Sequence, residues 1–138
     1  MKNEKSMFPK IKAHFNNEFS LFREVPFYNK RIDVVGVNRS TSELIAIELK
    51  LEDWKKALQQ AAMDQLGGNR AYVALWHKNI HRADIEKFKE CGIGLLEVND
   101  YLKEVVKAAP SYCFSYKMAD LIRRNLRGRI HIWRGVLK

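Results

Sequence analysis

Two apolar runs separated by a five-residue polar break constrain this chain more than any other feature. The first, Arg31 to Val37, carries Ile32, Val34, Val35 and Val37; the second, Glu43 to Leu51, carries Leu44-Ile45-Ala46-Ile47. Between them stands Asn38-Arg39-Ser40-Thr41-Ser42, rich in turn formers. Runs of strand length flanking such a break predict an antiparallel hairpin. From Asp53 the period changes, and Trp54, Ala57, Leu58, Ala61, Ala62 and Leu66 follow helical spacing until Gly67-Gly68 stops it.

Further along, Ala71 to Trp76 reads as a buried strand, Ala83 to Cys91 as a helix ended by Gly92, and Ile93 to Val98 as another strand. A hairpin followed by alternating helices and strands implies an α/β fold, a mixed sheet with helices on both faces. Upstream, Phe8, Ile11, Phe15, Phe19 and Phe22 recur every three or four residues, which predicts a helix over 8–22. Beyond Pro110, Ser115 can cap a helix with Met118, Leu121, Ile122 and Leu126 on one face and Arg123, Arg124 and Arg127 on the other. With 138 residues and no internal repeat, one domain is expected: a core over 1–110 and a basic extension, 111–138, packed on it.

Nothing resembles a signal peptide or a membrane span, so a soluble, cytoplasmic protein is expected, with no membrane partner. Cys91 and Cys113 form no C-x-x-C pair and read as small core hydrophobes. The charge is uneven. Residues 1–12 carry four Lys against one Glu, residues 111–138 carry seven Lys or Arg against one Asp, and the stretch between balances. A neutral body with basic ends suits a polyanion such as nucleic acid, whose condensed counterions are released when phosphates are neutralised; a solvated tail is the competing explanation. Lys10, Lys12, Arg123, Arg124, Arg127, Arg129 and Arg134 are the candidate phosphate contacts. Tyr112, Phe114 and Tyr116 could stack on bases, although core packing is the favoured explanation.

The sharpest chemistry lies on the hairpin. Glu48 and Lys50 are two apart on a strand and share a face, and Asp33 can lie across from them. Acids and an amine beside so apolar a run are costly unless paired or bound to a metal. Mg2+ takes such donors: one or two carboxylates, a backbone carbonyl that Leu49 is placed to offer, and waters. A buried salt bridge of Lys50 with Glu48 or Asp33 is the structural alternative. His77 and His81 are separated by loop-like residues and make a poor zinc pair. P-loop, G-x-S-x-G and G-x-G-x-x-G patterns do not occur.

Asp33, then fifteen residues on Glu48, then x-Lys50, resembles the motif of the PD-(D/E)xK nuclease superfamily, with Ile32 where that family usually has Pro. The likeness covers about residues 8–98 and includes the order strand, turn, strand, helix. It implies a restriction-endonuclease-like mixed sheet flanked by helices and Mg2+-dependent phosphodiester hydrolysis, with Mn2+ able to substitute. DNA is the preferred substrate and a homodimer is possible. In that reading Asp33 and Glu48 hold the ion, Lys50 positions or deprotonates the attacking water, and Gln60 orients the site as the Gln of the family's Q-x-x-x-Y helix does. Asp64 stands where that pattern has Tyr. Glu18, expected on the first helix, is a further possible ligand, and Glu24 a weaker one. A binding module of the same fold without catalysis, or an interaction domain of a nucleoprotein complex, are the alternatives.

Overall fold

The hairpin forms, and a six-stranded sheet is built outward from it. The computed structural model describes residues 3–126. After a 3-10 turn, Glu4–Met7, the elements run α1 (Phe8–Phe15), β1 (Phe19–Phe27), β2 (Lys30–Asn38), β3 (Leu44–Lys50), α2 (Trp54–Asp64) and β4 (Arg70–Trp76). A second 3-10 segment, His77–Arg82, leads to α3 (Ile85–Cys91), β5 (Gly94–Val98), β6 (Leu102–Val106) and α4 (Tyr116–Leu126). Strand order in the sheet is sequential from β1 to β6. The pairs at either end are antiparallel, while β3–β4 and β4–β5 are parallel. The two parallel pairs coincide with the two helical crossovers, as parallel strands require.

One expectation fails at the N-terminus. The predicted helix over 8–22 stops at Phe15, and Phe19 begins β1. The Asn16-Asn17-Glu18 turn breaks the helix. Phe19 to Phe27 then gain a ladder against β2, in register from Phe19↔Asn38 to Phe27↔Lys30 and interrupted only at Glu24 opposite Asp33. Aromatic residues serve a strand as well as a helix, and the Phe15 to Phe19 spacing continues the stripe only by coincidence. The edge strand β6 also escaped the sequence pattern, because its middle is Lys-Glu and only its ends are buried. Both cysteines are free and half-exposed rather than core residues.

Alternation along β3 sorts the core into two layers. Ile45, Ile47 and Leu49 pack with Met7, Ile11 and Phe15 of the N-terminal segment. Leu44 and Ala46 face the other way, against Ala119, Ile122 and Leu126 of α4, while Val73 and Leu75 of β4 lie beneath Ala57 and Ala61 of α2. Helices therefore cover both faces, with α1 on one and α2, α3 and α4 on the other.

The junction of α2 with α4 depends on a missing side chain. A Cβ on Gly67 would lie 2.6 Å from Ile122 Cδ1 and 3.0 Å from the Met118 carbonyl oxygen. Gly67→Ala is expected to cost about 1–3 kcal/mol in urea denaturation. An unchanged midpoint would mean that α4 moves aside freely.

Candidate active site

The β2–β3 ladder runs from Val37↔Leu44 to Val34↔Ile47, and Asp33 follows at its end. Here a side chain takes over from the backbone: Leu49 N donates to Asp33 Oδ2 at 2.8 Å. Because the N–H and C=O of a strand residue point to the same side, the Leu49 carbonyl is also directed toward β2 at this point. Glu48 and Lys50 pair with Val73 and Leu75 of β4 and so share the sheet face that α2 covers. Asp33, Glu48, Leu49 and Lys50 thus lie at one end of the β2–β3 pair.

The structure corrects the ion pairing. Glu48 bonds Lys30, the first residue of β2, rather than Lys50: Lys30 Nζ donates to Glu48 Oε2 at 2.7 Å. The same ammonium stands 2.7 Å from Asp64 Oδ1 at the end of α2. Lys30 thus bridges two buried acids through one ammonium. Lys50 instead lies 4.0 Å from Glu4 Oε2 in the N-terminal 3-10 turn.

Burial sets the electrostatics. Glu48 is 1% exposed and Asp64 is fully buried. Loss of water, then the neighbouring Asp64, raises the Glu48 pKa, while Lys30 opposes the rise. Asp64 is likewise raised, by burial first, with Glu48 and Lys30 opposing. Burial works against the charge on Lys30, yet Asp64 and Glu48 together lift its pKa above the ordinary lysine value. Asp33 is pushed up to about 6, by burial and then by Glu48, against the Leu49 N–H and Lys50. Fully ionised, three acids and two cations leave one negative charge in a largely apolar setting.

Of the other expected residues, Gln60 sits one turn before Asp64 on the same side of α2, its Oε1 buried without a partner. Glu18 is corrected: it is exposed in the turn after α1, away from the site, and Glu24 is exposed as well. Lys10 and Lys12 lie on α1, across the sheet from Glu48, and do not join the α4 cations in one basic surface. Arg123 donates to the Ser42 carbonyl at 2.6 Å, and Arg124 is exposed. Arg127, Arg129 and Arg134 lie outside the described residues.

Sequence reasoning missed Lys30, Asp64 and Glu4. Lys30 looked like part of a turn, and Asp64 could be recognised as buried only because it continues the Ala57, Ala61 stripe. Among the described residues no group of three or more His, Cys, Asp or Glu side chains is arranged to hold a metal. No helix there is long and apolar enough to cross a membrane.

Comparison with known proteins yields a fold likeness. A solved structure of a protein of unknown function from Silicibacter pomeroyi is 18% identical, with a TM-score of 0.69 over 95% of this chain and 88% of that one. No family model matches the chain, and no curated protein matches it.

Proposed function

We propose that this chain is a Mg2+-dependent nuclease of restriction-endonuclease-like fold, with DNA as its preferred substrate. The observation that carries the reading is the meeting of Asp33 and Glu48 where the β2–β3 ladder ends, with Lys50 one strand repeat further on the Glu48 face. Both carboxyls sit above their ordinary pKa because burial and acidic neighbours disfavour their charge. A bound dication would relieve that cost.

The donor set fits a hard cation. The chain's own donors, Leu49 N on Asp33 Oδ2 and Lys30 on Glu48 Oε2, hold each acid in place, and an ion would replace the acid–acid contacts of Asp33 with Glu48 and of Glu48 with Asp64. Two carboxylates, with the Leu49 carbonyl and waters, are a sufficient Mg2+ ligand set. The chemistry such an ion supplies when bound is polarisation of the scissile phosphate and a water that ionises more readily. Lys50 is 17% exposed, so its ammonium can reach a phosphate oxygen or the attacking water at the site's edge. Lys30 cannot take that part, because it is engaged by two buried acids and holds Glu48 in place.

That same Lys30 bridge favours a second reading, in which the acids are structural and the protein binds nucleic acid without cutting it. A cleavage panel over linear, nicked, branched and RNA substrates separates the two. Products with Mg2+ or Mn2+, and none with EDTA, are expected of the nuclease. Salt-dependent binding in EDTA with no products in either metal would support the binding module. Absence of both would leave an interaction domain.

A further inference from the structure

Tyr112 and Tyr116 are 85% and 82% exposed, which removes core packing as their explanation and leaves two large rings in solvent. Only Phe114 of that trio turns inward, toward the α4 layer of the core. Backbone bonds fix the segment that carries them, Ser111 N to the Asn69 carbonyl and Ser115 N to the Leu66 carbonyl, both at 2.8 Å. The rings are thus mounted on anchored backbone, four residues apart and at most about 14 Å along the chain.

Cations adjoin Tyr116. Tyr116 opens α4 and shares its outer face with a depression lined by Lys117, Asp120, Arg123 and Arg124, three cations against one acid. Contacts also tie this patch to the acid cluster. The Tyr28 hydroxyl donates to Met118 Sδ at 2.6 Å, and Tyr28 is itself 57% exposed, two residues before the Lys30 that meets Glu48 and Asp64.

We infer that the exposed tyrosines at the start of α4, with the basic groove behind them, form a stacking platform for single-stranded nucleic acid. An aromatic face exposed beside a track of cations matches the two chemical parts of a single strand, unstacked bases and phosphates. A duplex keeps its base faces stacked and could use the cations alone. A protein partner would have to supply acidic side chains as well as an apolar face to use both rings and cations, which a single strand supplies in every nucleotide. This inference rests on the nucleic-acid reading above, though not on catalysis.

The test is fluorescence anisotropy of a labelled oligothymidine, against a duplex of equal length and heparin, with the full chain in EDTA so that cleavage does not enter. Single-strand binding is expected to weaken about tenfold in Tyr112→Ala and again in Tyr116→Ala, to be kept by the Phe variants, and to leave heparin binding unchanged. Both rings are exposed, so these variants should fold, which circular dichroism verifies. Equal loss on duplex and single strand, wild-type affinity in both Ala variants, or a ring-dependent self-association without oligonucleotide binding would each overturn the platform. If the platform binds and nothing is cut with Mg2+, the nuclease reading fails alone.

Discussion

Asp33→Asn is expected to reduce Mg2+-dependent cleavage by about 100-fold or more while leaving the fold as stable as before or more so. The amide keeps an oxygen to accept from Leu49 N, so the backbone contact at the end of the ladder survives. What disappears is one negative charge from a site where burial and Glu48 already disfavour it. Removing an ionised group from such surroundings stabilises the native state, the usual opposition of stability and activity at a working site. Cleavage rate and urea midpoint measured on the same preparation check both halves. Full activity in the variant removes Asp33 from the site, and a large loss of stability makes it a structural residue instead.

The pH dependence has a definite sign. The folded pKa of Asp33, about 6, lies above its unfolded value near 3.8. The native state therefore binds this proton more tightly, and ionisation of Asp33 destabilises the fold as pH rises through 6. Below the unfolded value the penalty is absent. Metal binding needs the ionised form, so cleavage should rise over the same interval in which apo stability falls. The Asn variant should lack this part of the stability profile.

The hairpin and α2 were legible because each depends on local patterning: a five-residue polar break between β-branched runs, and a 3.6-residue apolar period closed by Gly67-Gly68. The position of Asp33 opposite Glu48 followed from the parity of the strands. The limit of α1 was hidden because phenylalanines spaced for a helix also satisfy a strand, and the ladder with β2 decided between them. The partner of Glu48 was hidden for a different reason. Lys30 lies eighteen residues away in sequence, and its long side chain crosses to the buried end of α2, a reach that no periodicity encodes. Pairing Lys50 with Glu48 was the nearest choice along the chain, but the molecule leaves Lys50 at the edge of the site, where a substrate could meet it.

Lys30→Met provides the largest expected effect on stability. The methionine retains the apolar stem but removes the ammonium that stands against two buried carboxyls, 2.7 Å from an oxygen of each. Breaking a buried pair from one side costs about 3–5 kcal/mol, because the partner keeps its desolvation penalty without its attraction. Here two partners are stranded. The deficit should be larger near pH 9, where Glu48 begins to ionise, than near pH 6, where a proton on Glu48 already takes the ammonium's place. Adding Asp64→Asn to Lys30→Met should recover part of the loss by removing one of the two acids. Urea titrations of the three proteins at both pH values distinguish this from a packing effect, which would be independent of pH and indifferent to Asp64. A loss below about 1 kcal/mol, the range of an exposed pair, would mean that water reaches the cluster, and the raised carboxyl pKa values would then need another cause.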